Sequence, residues 1–230
     1  MKRFRDAFVA MFLRLIEPIA ALLVRLNVDP NALTTTGTVC TVLGGVAFAF
    51  GRIRAAGLII AAAALFDVLD GMVARKAERS TIFGAFYDST LDRVADGALL
   101  GGLAYFFATS PRYASPAMVA VAIVGMIGTF LVSYTRARAE ALGITLRIGF
   151  MQRAERVVLL SAPQALFGLA LGGKVLMGVV VLLAASAWIT ATQRILYVRR
   201  ATGGPVTKPL RVLIENKPLR ARFTSRRAQS

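Results

Sequence analysis

The sequence predicts an all-α integral membrane protein, with six transmembrane helices preceded by an amphipathic helix lying along the interface. Three observations carry that expectation. Of the 230 residues, 57% are apolar and only 17% charged, with a mean hydropathy of +0.65. The apolar residues gather into runs about as long as a helix needs to cross a hydrocarbon core of roughly 30 Å. The charge is strongly basic, 28 Lys and Arg against 12 Asp and Glu for a net +16, and most of it lies between those runs. Basicity alone could suggest a nucleic-acid partner, but a soluble nucleic-acid domain does not contain such runs.

Residues 1–28 are too interrupted to span, carrying Lys2, Arg3, Arg5, Asp6, Arg14, Glu17 and Arg25. Phe8, Met11, Phe12, Leu15 and Ile16 recur at helical spacing, which predicts an amphipathic helix at the membrane surface. No uninterrupted apolar core or small-residue cleavage site marks a signal peptide. The first span, 30–51, is uncharged over 22 residues. The second, 55–74, carries Asp67 and Asp70 near its end, and the third, 83–107, carries Asp88, Asp92, Arg93 and Asp96 near its start. The fourth, fifth and sixth are the uncharged runs 113–135, 157–173 and 175–193. Residues 29–200 therefore read as one six-helix domain. Residues 201–230 are basic and contain Gly203, Gly204, Pro205, Pro209 and Pro218, which predicts a flexible cytoplasmic tail on an anionic surface.

Six spans place both termini, the loop after the second span and the loop after the fourth on one side. That side holds 23 Lys and Arg and the other holds 4, so the positive-inside rule makes the first side cytoplasmic. The expectation is a multi-pass cell-membrane protein whose acidic helix ends face the cytoplasm.

There is no histidine, which excludes His-based acid–base catalysis and His metal sites, and the single Cys40 excludes intramolecular disulfides and cysteine clusters. Chemistry must fall to carboxylates, hydroxyls, Lys/Arg, backbone and a hard metal ion. Five of the seven Asp lie between positions 67 and 96. Asp67 and Asp70 share a helical face, and Asp88, Asp92 and Asp96 form a stripe at intervals of four. A charge in a membrane helix costs on the order of 3 kcal/mol and marks function by default. Arg75, Arg79 and Arg93 could neutralise the acids as structural ion pairs. A divalent cation answers the convergence of three or four anions better, and all-oxygen ligands favour Mg2+ or Mn2+.

These residues stand as Asp67-x2-Asp70-Gly71-x2-Ala74-Arg75-x8-Gly84-x3-Asp88-x3-Asp92. The pattern resembles the signature of the CDP-alcohol phosphotransferase family, D-x2-D-G-x2-A-R-x8-G-x3-D-x3-D, at all eight fixed positions, and the six-span layout extends the resemblance over about 200 residues. The resemblance implies transfer of a phosphatidyl group from CDP-diacylglycerol to an alcohol with release of CMP, by direct attack and in a homodimer. It implies Asp67, Asp70, Asp88 and Asp92 as metal ligands, with Asp92 also taking the acceptor's proton. For the CDP-lipid it implies Asn31, Ala32, Leu33, Thr34, Asp67, Gly71, Arg75, Thr81 and Gly84. For Asn31 and Thr34, helix capping is the competing account, and for Gly71 and Gly84 it is helix packing.

Basic residues also collect around the loop after the fourth span. Arg153 and Arg156 are one helical turn apart, and with Arg136 and Arg194 they would suit a dianionic phosphate on the acceptor. The stretch Ser133-Tyr134-x2-Ala137-Arg138-Ala139-Glu140 and the pair Arg153/Arg156 resemble the branch of the family that makes phosphatidylinositol phosphate in actinobacteria, as does Asp88-Ser-Thr-Leu-Asp92-Arg93-Val-Ala-Asp96-Gly97. That branch implies inositol 1-phosphate as acceptor, held by Ser133, Arg136, Arg153, Arg156 and Arg194. Arg136 departs from it, since Lys is expected there. A glycerol 3-phosphate acceptor is the alternative within the family. An ion transporter using intramembrane carboxylates is the alternative outside it, although such proteins keep their acids near the midplane.

Overall fold

A computed structural model of the chain describes residues 2–146, 148–151 and 153–202, without the side chains of residues 2–10 and 12. Every regular element among the described residues is a helix: α1 (Lys2–Arg25), α2 (Pro30–Ala49), α3 (Ile53–Lys76), α4 (Ile82–Thr109), α5 (Pro116–Ala141), α6 (Arg153–Phe167) and α7 (Lys174–Ala201), with a 3-10 turn at Ala170–Gly173 before α7. The expected tail falls almost wholly outside the described residues.

Local chemistry sets the helix starts. Asp29 caps α2 by accepting from the Asn31 N–H at 2.9 Å, with Pro30 pre-set in the first turn. Thr81 caps α4 through the Gly84 N–H at 2.9 Å, and Ser115 followed by Pro116 does the same for α5. Each of the six spans expected from sequence corresponds to one of α2–α7. Among the described residues, four segments are long and apolar enough to cross a membrane: α2, α3, α5 and Ala170–Ala201. The other two differ for identifiable reasons. α4 has 28 residues, but its first half carries Asp88, Asp92, Arg93 and Asp96, while α6 is a continuous helix for only 15 residues.

α2 packs on α3 and α4, α4 on α5, α5 on α7, and α6 on α3 and α7. The main core joins Phe48, Ile60, Leu99, Leu103, Phe107, Leu176 and Val180, all nearly fully buried. Contact between α2 and α4 is backbone on backbone. A Cβ on Gly45 would overlap the Ala98 carbonyl, and one on Gly102 would overlap the carbonyl of Gly45. Outward from these seams, Val39, Leu43, Leu58, Ile123, Ile127, Val181 and Ile189 are exposed, as lipid-facing side chains are.

α1 lies against α3. Ile16 and Ala20 pack into a second apolar cluster with Leu33, Leu69, Met72 and Val73. Glu17 accepts from Lys76 at 2.8 Å, a bond that holds its carboxyl below the usual range. Arg79 donates to Asn27 at 2.9 Å. Met11, Leu15, Ile19 and Leu22 form a second apolar stripe on α1 that stays exposed, and Leu26 just past its end continues it. Alternating chain direction brings the first turns of α2, α4 and α6 and the last turns of α3, α5 and α7 to one end of the bundle. That end holds all the predicted site residues.

Candidate active site

Asp70 is 8% exposed and takes the Thr34 hydroxyl at 2.7 Å, so the first turns of α2 orient a carboxylate of α3. Arg153, the first residue of α6, donates through Nη1 to Asp67 Oδ2 at 2.7 Å and lies 2.6 Å from Asp92 Oδ1. One guanidinium thus ties α6 to α3 and α4. Arg93 bridges Asp92 at 3.6 Å and Asp96 at 3.5 Å, and Arg156 faces Asp96 at 3.8 Å. The cations serving the acids are therefore Arg93, Arg153 and Arg156. Of the three considered from sequence, Arg79 turns instead to Asn27, and Arg75 folds beside Gly71, where a Cβ would lie 3.1 Å from its guanidinium.

The donor chemistry of the four acids fits a hard divalent cation. Asp88 is half-buried, close enough for its charge to act on Asp67, Asp70 and Asp92, and among the described residues it makes no hydrogen bond or ion pair. No three acids among the described residues converge as a finished cage, because Thr34 and Arg153 hold three of the four carboxylates.

Two cavities flank this cluster and share Ala85 and Asp88 in their walls. The smaller, about 190 Å3, is lined by Asn31, Thr34, Asp70, Gly71, Arg75, Arg79, Ser80, Thr81 and Gly84, among others. A Cβ on Gly84 would meet Thr81 Oγ1 at 3.1 Å and Asn31 Oδ1 at 3.4 Å, so its missing side chain keeps the α2–α4 mouth open. Three residues assigned to the CDP-lipid lie outside this cavity. Leu33 is buried in the second apolar cluster, Ala32 is exposed on the far face of the first turn, and Asp67 is turned to Arg153.

The larger cavity, about 860 Å3, is lined by Asp88, Asp92, Ser133, Arg136, Glu140, Arg153, Arg156 and Arg194, among others. All five residues assigned to the acceptor phosphate share this one wall. Two of them carry further duties that sequence reasoning missed. Arg136 donates from Nε to Glu140 at 3.0 Å, a pair that its i,i+4 spacing could have signalled. Arg194 donates from Nε to the Ile148 carbonyl at 3.1 Å and from Nη1 to the Val132 carbonyl, fastening the α5–α6 loop to α5. The Phe150 N–H adds a bond to Thr190 at 3.2 Å. No sequence pattern announces backbone fastening of this kind.

An all-helical bundle with an acid cluster between a small polar pocket and an arginine-lined one is the frame of a group-transferring membrane enzyme. Residues 27–198 match the family model described as CDP-alcohol phosphatidyltransferase, and the chain belongs to that family. It is 36% identical over 200 residues to a phosphatidylinositol phosphate synthase of Streptomyces avermitilis, covering 83% of this chain and 80% of that one. It is 34% identical over 193 residues to an archaetidylinositol phosphate synthase of Methanothermobacter thermautotrophicus, covering 84% and 93%. Among solved structures, it resembles the Mycobacterium tuberculosis phosphatidylinositol phosphate synthase with CDP-DAG bound, at 31% identity and a TM-score of 0.76, covering 85% of this chain and 99% of that one. The same M. tuberculosis enzyme in complex with manganese and citrate gives a TM-score of 0.75 at 31% identity, covering 84% and 92%.

Proposed function

We propose that this enzyme transfers the phosphatidyl group of CDP-diacylglycerol to inositol 1-phosphate, releasing CMP and forming phosphatidylinositol phosphate. One observation carries the acceptor assignment: Ser133, Arg136, Arg153, Arg156 and Arg194, from three helices, line a single cavity that also contains Asp92. Four guanidinium groups gathered on one cavity suit a dianionic phosphate, a group that free inositol, serine and choline do not carry. Relatives bearing the inositol phosphate name at 34–36% identity support the same reading.

In this reading the CDP moiety sits in the smaller cavity, with Arg75 forked onto the diphosphate and Asn31, Thr34 and Thr81 offering polar contacts around Gly71 and Gly84. Asp67, Asp70, Asp88 and Asp92 would hold a divalent metal, Mg2+ or Mn2+, which when bound neutralises the diphosphate. Asp92, in the acceptor cavity, takes the proton of the attacking hydroxyl. The new bond joins that oxygen to the lipid-linked phosphorus as the bond to the CMP oxygen breaks, without a covalent enzyme intermediate. Thr34 keeps Asp70 aimed, and the arginines fix the acceptor so that its hydroxyl addresses the phosphorus.

The reading extends to six spans in the cell membrane, with the site at the cytoplasmic face, for which the 23-to-4 basic asymmetry is the support. α1 lies in the interface with its exposed apolar stripe toward lipid. The family-model match to 27–198 agrees with a catalytic domain at 29–200. A homodimer is part of the proposal, and the open face at Gly101, which nothing approaches within 4 Å, leaves room for it.

The experiment is CMP release by purified protein given CDP-diacylglycerol and a divalent cation, with inositol 1-phosphate, glycerol 3-phosphate, inositol and serine offered in parallel. Turnover with inositol 1-phosphate alone is expected. Preference for glycerol 3-phosphate would reassign the acceptor, and absence of CMP release with every alcohol would remove the transferase reading.

A further inference from the structure

Asp96 completes the stripe of acids on α4, yet neither metal, nor nucleotide, nor acceptor has claimed it. It lies one turn deeper than Asp92, its side chain is 12% exposed, and it is absent from the lining of both cavities. A carboxylate buried to that degree is costly unless cations stand beside it. Two do: Arg93 Nη2 at 3.5 Å and Arg156 Nη2 at 3.8 Å. Both arginines line the acceptor cavity, so Asp96 stands behind that wall.

The contacts are ionic and loose. Among the described residues, Asp96 Oδ2, Arg93 Nε and Arg156 Nε all lack hydrogen-bond partners although they are buried. Arg156 itself is 8% exposed. Its guanidinium therefore keeps N–H groups unspent, and its placement rests on the charge of Asp96 behind it. An unrestrained Arg side chain would have to give up its rotamer freedom in any contact it made.

We infer that Asp96 is a positioning residue for the acceptor, its carboxylate holding Arg156, flanked by Arg93, on the wall of the acceptor cavity without itself touching metal or substrate. The inference rests on the proposed phosphate-bearing acceptor and deepens it. The motif's last two aspartates serve the reaction centre, while the third member of the stripe serves specificity through an arginine on another helix.

The test compares Asp96→Asn, Asp96→Glu, Arg156→Ala and the double variant Asp96→Asn/Arg156→Ala in the full chain. Readouts are kcat, KM for inositol 1-phosphate, KM for CDP-diacylglycerol and the dissociation constant for Mn2+. Asp96→Asn should raise KM for inositol 1-phosphate roughly tenfold or more, the scale of one charge-assisted contact. KM for CDP-diacylglycerol and Mn2+ affinity should stay within about twofold, since a positioning group acts on the acceptor alone. Asp96→Glu, which keeps the charge but shifts it, should fall between wild type and Asp96→Asn, and the double variant should be no worse than Arg156→Ala. An unchanged or lowered acceptor KM overturns the inference, as does a loss of Mn2+ affinity, which would make Asp96 a metal ligand. Should Asp96→Asn not fold, an unchanged acceptor KM in Arg156→Ala overturns it equally, since Asp96 would then hold an arginine that does not serve the acceptor. If wild type does not use inositol 1-phosphate, the acceptor reading falls and this inference with it. If wild type uses it and Asp96→Asn keeps its KM, only the role of Asp96 falls.

Discussion

Arg153 Nη1 lies 2.6 Å from Asp92 Oδ1, so the first residue of α6 reaches across to the last acid of the family pattern on α4. The same nitrogen donates to Asp67 on α3 at 2.7 Å. A single side chain thus belongs to both the acid cluster and the acceptor wall, and replacing it should be felt in both.

Arg153→Gln should lower Tm in the presence of EDTA by several degrees, because two half-buried carboxylates lose their shared cation. Added Mn2+ should then raise Tm more in the variant than in wild type, since the ion no longer competes with a guanidinium for Asp67 and Asp92. Thermal unfolding in detergent with and without Mn2+ measures both shifts. Equal Mn2+ shifts in the two proteins would mean that Arg153 and the cation do not compete.

Asp92→Asn should abolish CMP release, by two orders of magnitude or more on the scale of general-base catalysis, while largely preserving CDP-lipid binding. The comparison is single-turnover CMP formation beside equilibrium binding of the lipid nucleotide. Retained turnover would take Asp92 out of the base role.

Thr34→Val keeps the shape of the side chain but removes the hydroxyl 2.7 Å from Asp70. A buried hydrogen bond to a charged group is worth about 1.5–3 kcal/mol, so KM for CDP-diacylglycerol should rise about tenfold or more. The acceptor KM should hardly move, because Thr34 lines the smaller cavity. A change confined to the acceptor would contradict that division.

Gly102→Ala and Gly101→Ala form a matched pair on α4. At Gly102 a Cβ meets the backbone of Gly45, and parting α2 from α4 should cost about 1–3 kcal/mol. At Gly101 nothing lies within 4 Å, so the single chain should tolerate the methyl group. Melting temperatures of the two variants decide it, and equal losses would imply that a second copy packs on Gly101.

The helix order and the acid pairs on α3 and α4 were legible in the sequence because charge-free runs and fixed spacings are local properties. Arg153, Arg156 and Arg194 were likewise picked out by charge and helical spacing. Their partners were not, because Arg153–Asp67 is 86 positions apart in the chain and depends on how α6 packs against α3. Leu33 was assigned to the nucleotide by family resemblance alone, and its side chain turns inward to the apolar cluster formed with α1, a contact that also depends on packing between distant segments. The acids that interrupt the second and third spans were visible in the sequence, whereas the shortness of α6 was not: its uncharged run reaches residue 173, but the helix stops at Phe167.

Asp88 lies in the walls of both cavities, and Asp92 follows it by four residues of unbroken helix. At 1.5 Å per residue that fixes about 6 Å along the α4 axis. On the proposed mechanism the helix would work as a ruler, setting how far the incoming hydroxyl stands from the departing nucleotide. An extra residue slipped between them would swing one carboxylate by about 100° around the axis and leave two intact half-sites with no common meeting point.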